Sequence, residues 1–144
     1  MKAFIIFALI ATLAFADYTP KWTSCSASDD PWQPTTITLD KEPKLNQKSS
    51  IHACGNVQDD VVVGSFKLLV KSGSTVIFTT DVSLTKQEIF PGSVYCFDYT
   101  VFIPIIARGS FSININLEDD SQASIGCFQI DLTLKNPQLP EESF

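Results

Sequence analysis

Four cysteines, Cys25, Cys54, Cys96 and Cys127, and one histidine, His52, carry the most distinctive chemistry in this 144-residue chain. Together they could hold zinc, or the cysteines could close into two disulfides. Zinc sites usually draw on closely spaced pairs such as C-x-x-C. Here 28, 41 and 30 residues lie between successive cysteines and there is no second histidine, so the spacing argues for disulfides and against a resident metal. The N-terminus points the same way. Met1-Lys2 gives a positive start, Ala3 to Ala14 is a short apolar run, and Ala14-Phe15-Ala16 is a small-x-small cleavage site, the pattern of a secretory signal peptide over residues 1–16. Such a leader sends the cysteines to a compartment in which bridges form and persist.

Three carboxylate pairs, Asp29-Asp30, Asp59-Asp60 and Asp119-Asp120, are the next candidates. If each connection reverses the chain, all three fall at one end of the fold, where they could bind Ca²⁺. No D-x-D spacing accompanies them and aspartate is a favoured turn residue, so turn formation is the expected role. Catalysis finds no support: there is no G-x-S-x-G elbow, and His52 points away from the apolar face of its segment, beside Ser50. The expectation is a surface histidine in a protein that is not an enzyme and needs no cofactor.

The elements that must position these residues are strands. Period-2 alternation dominates, and no 3.6 period persists for three turns. Seven segments qualify: 35–39, 49–55, 61–71, 75–84, 94–103, 110–117 and 125–134. Turn-like separators divide them, among them Ser72-Gly73-Ser74 and Phe90-Pro91-Gly92. An all-β, immunoglobulin-like two-sheet antiparallel sandwich follows. Parity predicts an inward face of Val62, Phe66, Leu68 and Val70 in 61–71, and of Val76, Phe78, Val82 and Leu84 in 75–84. It predicts Tyr95, Phe97, Tyr99, Val101 and Ile103 in 94–103, Phe111, Ile113, Ile115 and Leu117 in 110–117, and Phe128, Ile130, Leu132 and Leu134 in 125–134. Cys54, Cys96 and Cys127 take the outward parity, whereas immunoglobulin domains keep their bridge inside.

Loss of residues 1–16 removes Lys2 alone among the charges, leaving 9 basic and 16 acidic side chains, net −7. A chain this acidic is a poor nucleic-acid partner. No other stretch approaches the roughly 20 apolar residues of a membrane span. The expected molecule is a soluble monomer of one domain over 17–135, with a frayed tail at 136–144.

Certain residues resemble a family. They are Trp22-Thr23-Ser24-Cys25 after the leader, Ile37-Thr38-Leu39 followed by Pro43, Gly55 after the second strand, Ile103-Pro104 before Gly109-Ser110-Phe111, and Gly126-Cys127-Phe128-Gln129-Ile130. In this order they resemble the ML lipid-recognition domain, the group of secreted phosphatidylglycerol/phosphatidylinositol transfer proteins and the Niemann-Pick type C sterol carrier. The resemblance spans about residues 22–134 and implies a Cys25–Cys127 bridge. Family members usually carry a local cysteine pair between the fourth and fifth segments, where this chain has only Cys96. Cys54–Cys96 is then the remaining bridge, suited to neighbouring strands of the three-stranded sheet that the family implies.

The resemblance also implies sheets splayed around an apolar cavity that holds a lipid, phospholipid first and sterol second. The implied lining is Val62, Phe66, Leu68, Phe78, Val82, Phe97, Tyr99, Val101, Phe111, Ile113, Ile115, Leu117, Phe128 and Ile130, with Phe90, Val94 and Tyr95 at the mouth. A ligand-free adhesion sandwich with a filled core is the rival reading. The workplace implied is extracellular, or the lysosomal or endosomal lumen, with a transient membrane surface as partner. Two ends compete for that surface. One gathers Lys41, Lys44, Lys48, Lys71, Arg108 and Lys135 with Ile105 and Ile106, a natural match for anionic lipid. The other holds the Asp pairs with Ile89 and Phe90. Placing the mouth at the acidic end predicts that transfer accelerates as carboxylates protonate toward about pH 4 to 5.

Overall fold

A computed structural model describes residues 17–44, 46–103 and 109–134; the side chains of Ile103 and Leu134 are outside that description. The expected leader 1–16, Ile105, Ile106, Arg108, Lys135 and the tail 136–144 also lie outside the described residues. Among the described residues eight strands form: β1 (Lys21–Ser24), β2 (Trp32–Leu39), β3 (Gln47–Val57), β4 (Val61–Ser72), β5 (Thr75–Ile89), β6 (Val94–Ile103), β7 (Gly109–Asp119) and β8 (Ser124–Leu134). They make a five-stranded sheet in the order β1-β8-β7-β4-β5 and a three-stranded sheet in the order β2-β3-β6, with antiparallel pairing throughout. The fold is the all-β sandwich that the alternation predicts. Among the described residues no helix is long and apolar enough to cross a membrane.

β1 is additional to the seven expected segments, and several strands run past their expected ends, β5 as far as Ile89. β1 is too short to show a period and forms by pairing Trp22 opposite Ile130 on β8. β2 begins three residues earlier than predicted, since Pro34 sits at a register shift between Pro34 and Thr36, where a missing N–H is tolerated.

The two sheets approach each other unevenly. β2 packs on β8 and touches β1, and no such close approach joins β5 to β6. Trp32 holds the closed margin. Its side chain is fully buried, and its indole Nε1 donates to the Tyr95 carbonyl at 3.1 Å. It has space only because Gly55 of β3 and Gly126 of β8 lack side chains: a Cβ at either would come within 2.5 Å and 2.6 Å of indole carbons. Behind the indole runs a chain of rings. Trp32 meets Phe97 and Phe128 at centroid distances of 5.9 and 6.2 Å, and Phe66 meets Phe97 and Tyr99 at 5.4 and 5.1 Å. Tilted and edge-on pairs of this kind add to the stabilisation that burial alone supplies. Toward the other end the interior is lined by the smaller Leu39, Ile51, Val101, Ile113 and Leu132.

Both bridges implied by the resemblance are present, each on the outside of the sandwich. Cys25–Cys127 ties the chain after β1 to β8, with a Cα–Cα distance of 4.8 Å, and Asn114 Nδ2 lies 3.5 and 3.6 Å from the two sulfurs. Cys54–Cys96 joins β3 to β6 at directly opposed positions, with a Cα–Cα distance of 4.1 Å. The first links residues 102 apart, for which chain entropy gives about 4.7 kcal/mol.

Gly126→Ala forces a methyl into the indole, an overpacking expected to lower stability by about 1 to 3 kcal/mol. Trp32→Ala is expected to remove about 3 to 5 kcal/mol. Urea unfolding curves check both. The double variant should lose less than the two single losses added together, because the methyl no longer meets a ring.

Candidate apolar site between the sheets

Five strands face three, and because β2 lies against both β8 and β1, the strand left without one opposite it is β5. Contact of Phe66 with Phe97 and Tyr99 places β6 over β4, and β5 extends beyond it. Directly opposed residues of an antiparallel pair share a face. Val82 is opposite Phe66, Thr80 opposite Leu68 and Phe78 opposite Val70, so all three belong to the inner face of β5. Yet Phe78 is 51% exposed, and Val82 and Leu84 are only half-buried. An apolar strip of β5 therefore overhangs the edge of β6. The resulting slot is lined on one side by Phe78, Val82 and Leu84, and Tyr99 lies half-buried on the facing strand.

Of the residues predicted to line a lipid site, the structure buries Phe66, Leu68, Phe97, Val101, Phe111, Ile113, Ile115, Leu117, Phe128 and Ile130 in one interior cluster. Val62 is a correction. It stands opposite the exposed Glu88, and Val63 takes the buried position instead. The cause is a register shift between Val63 and Ser65, which reverses parity so that Phe66 and Leu68 still face inward. The expected mouth residues separate. Phe90 and Val94 are 53% and 62% exposed around the β5–β6 connection, whereas Tyr95 is buried under Trp32, where burial pushes its phenol above the usual tyrosine range. Tyr95 thus stands behind the rim, and the Trp32 ring chain fills the interior at that end.

Sequence reasoning missed Trp32, Val63, Ile125 and Ser49, and it set Ile89 at the acidic end beside Phe90 without seeing that it is buried. Ser49 is the most informative. It shares the inner parity of Ile51 and Ala53 on β3, is 2% exposed, and among the described residues its Oγ has no hydrogen-bond partner. A hydroxyl left unpaired in an apolar interior costs about 1 to 3 kcal/mol. The signal was present in the sequence as a serine at an apolar parity.

The acidic end is built from turns. Asp30 Oδ2 accepts from the Ala27 N–H, Asp59 Oδ1 from the Asp60 N–H, and Asp119 Oδ1 from Ser121 N, Ser121 Oγ and Ala123 N, each at 2.9 Å. Partial burial pushes the Asp119 carboxyl up, but those three donors outweigh it and hold the group below the usual carboxylate range. Among the described residues the Asp pairs do not converge as metal ligands; the one close grouping of that kind is His52, Cys54 and Cys96. At the five-stranded sheet a shallow groove of about 370 Å³ is bordered by Lys21, Ser110, Ser112, Gln129, Asp131 and Thr133, together with Phe111 and Leu132.

No protein-family model matches the chain. A Dictyostelium discoideum protein, provisionally named a phosphatidylglycerol/phosphatidylinositol transfer protein, is 26% identical over 141 residues, covering 93% of this chain and all of that one. Among solved structures, a Niemann-Pick type C2 protein from Japanese carpenter ant superposes with a TM-score of 0.58 at 12% identity, over 80% of this chain and 99% of that one. Chicken MD-1 in complex with lipid IVa gives the same TM-score and identity, over 83% and 97%.

Asp119→Ala is expected to cost about 1 kcal/mol at neutral pH, the size of a lost cap. A depressed carboxyl contributes its stability above its ordinary value and loses it as pH falls through the folded value. The gap between wild type and variant should therefore close in strong acid, as thermal unfolding across pH would show. In sequence this chain is similar along nearly its whole length to that Dictyostelium protein, and it shares its two-sheet fold with the Niemann-Pick type C2 and MD-1 structures.

Proposed function

We propose that this protein binds one lipid between its sheets and carries it between membranes, outside the cell or in the lysosomal or endosomal lumen. The observation that carries the reading is the overhanging inner face of β5, with Phe78 half exposed on a surface that the rest of the fold buries. An acyl chain laid in the slot would cover that strip. About 16 methylenes leaving water would gain roughly 13 kcal/mol, and nearly nothing relative to a bilayer. A lipid can then exchange between membrane and protein without being trapped in either. The protein acts as a carrier and has no catalytic constellation assigned to it.

Phospholipid comes first. The full-length relative is named for phosphatidylglycerol and phosphatidylinositol, and MD-1 is complexed with lipid IVa. Ser49 supports a ligand with a polar group carried inside, because its buried hydroxyl could donate to a lipid ester oxygen. A sterol hydroxyl would satisfy the same atom, which keeps sterol as the second reading.

Phe90 and Val94, exposed beside the connection at one end of the slot, are the proposed membrane contacts. Lys41, Lys44, Lys48 and Lys71 belong to the opposite end of the strands.

Mass spectrometry of lipid extracted from purified protein should return one lipid per chain; a ligand-free sandwich would return none. Phe78→Asp should fold, since the site is half exposed, and should weaken lipid retention by about tenfold or more, equivalent to about 1.4 kcal/mol. Ser49→Ala should raise the melting temperature of the lipid-free protein while weakening retention. A rise in stability with unchanged retention would remove Ser49 from the site. In vesicle-to-vesicle transfer with anionic lipid, Phe90→Asp should slow transfer more than substitution of Lys48 does, and wild type should be faster at about pH 5 than at about pH 7.4.

A further inference from the structure

The outer face of the three-stranded sheet holds an arrangement that lipid carriage does not use. His52 and Cys54 lie two residues apart on β3, and Cys96 of β6 is directly opposite Cys54. Side chains at i and i+2 of a strand share a face, so all three project to the same side. His52 Nε2 is 3.3 Å from Cys54 Sγ, and His52 Nδ1 is 2.6 Å from Asp98 Oδ1. The ligand atoms of His52, Cys54 and Cys96 all lie within 4.8 Å of one another.

We propose that these residues form a latent site for a zinc-type divalent cation, closed while Cys54–Cys96 is a disulfide and opened by reduction. Two thiolates and one imidazole are a ligand set suited to zinc, with a fourth position left to water. A carboxylate on the far nitrogen of a ligating histidine fixes the ring and its tautomer, and Asp98 already occupies that place. Tetrahedral zinc requires neighbouring ligand atoms about 3.5 to 3.8 Å apart, close to the present separation of Nε2 and Cys54 Sγ. Only the two sulfurs must part.

Reduction requires an external dithiol. Its thiolate attacks the exposed Cys96 sulfur, the S–S bond breaks, and Cys54 leaves as a thiolate beside His52. The second thiol of the reductant then displaces Cys96, leaving with an oxidised reductant and two protein thiols. Cation binding takes up both as thiolates and releases their protons. The backbone ladder from Gln47–Ile103 to Asn56–Val94 joins β3 to β6 independently of the bridge, and Cys25–Cys127 holds the other sheet, so the framework remains after reduction.

The test uses the whole mature protein and a graded dithiol reductant, with alkylation mapping to find the dose at which Cys54–Cys96 is open and Cys25–Cys127 intact. Co²⁺ is then added as an optical probe, followed by Zn²⁺ as competitor. The expected result is thiolate-to-cobalt charge transfer with tetrahedral d–d bands, abolished by excess Zn²⁺, with the β-sheet circular dichroism unchanged. Asp98→Asn should weaken Zn²⁺ affinity by about 10- to 100-fold, and His52→Ala by more. The Cys54→Ser/Cys96→Ser variant should show no bands. Bands that persist in that variant, equal affinity in His52→Ala, loss of the sheet signal on reduction, or failure of Cys54–Cys96 to open before Cys25–Cys127 would each overturn the proposal.

Discussion

Contact of the Trp32 indole with two glycines is the constraint on which the sandwich depends. Gly55 and Gly126 belong to different sheets, and the ring fills the space that both leave, so it fixes how closely the sheets approach at that margin. Rigid close packing on one side permits divergence on the other. Each successive strand adds its own twist to a sheet, and two twisted sheets joined at one corner diverge away from it. The overhang of β5 follows from this geometry together with the unequal strand numbers. A five-stranded sheet cannot be covered by three strands, and the uncovered strand is the one farthest from Trp32.

Polarity is partitioned to match. Inward positions of the described strands are almost wholly apolar, whereas the outer face of the three-stranded sheet is a polar ladder. Ser50 bonds Thr100 at 2.8 Å, His52 bonds Asp98, and Cys54 is bridged to Cys96 on successive rungs. Cross-strand pairs of this kind stabilise a sheet from outside. Among the described residues the interior polar groups are few, among them the Trp32 indole, bonded to the Tyr95 carbonyl, and the Ser49 hydroxyl.

Much of this was legible in the sequence because side-chain period is a strong local signal wherever one face is buried. The extent of β6, Val94–Ile103, the inward set of β7, and Phe128, Ile130 and Leu132 of β8 could be read from alternation alone. What failed did so for local reasons. Val62 was assigned inward because parity was carried across a register shift at Gly64 that alternation cannot reveal. Trp32 fell outside the expected segment 35–39, because the strand continues through the register shift between Pro34 and Thr36. The depth of Tyr95 depends on an indole 63 residues away in the chain, a contact that no local period encodes. Five against three strands is a property of pairing, so the exposure of Phe78 on an inner face could not be read from strand 75–84 taken alone.

The placement of the disulfides gives a reason for this division. A bridge through the middle of a sandwich, as in immunoglobulin domains, ties the two sheets at a fixed separation. Here one bridge lies within the outer face of the three-stranded sheet, and the other ties the chain just beyond β1 to its neighbour β8. Neither crosses the interior. Each stabilises mainly by restricting the unfolded chain, and neither sets how far the sheets stand apart at the β5 margin. At the β5 margin sheet separation is therefore left to side-chain packing, which is strong at Trp32 and weak beside Phe78. Apolar contacts are non-directional and their strength follows buried area, so parting the sheets at that margin costs only in proportion to the small apolar area it exposes. A covalent tie through the interior would have made that margin as fixed as the other.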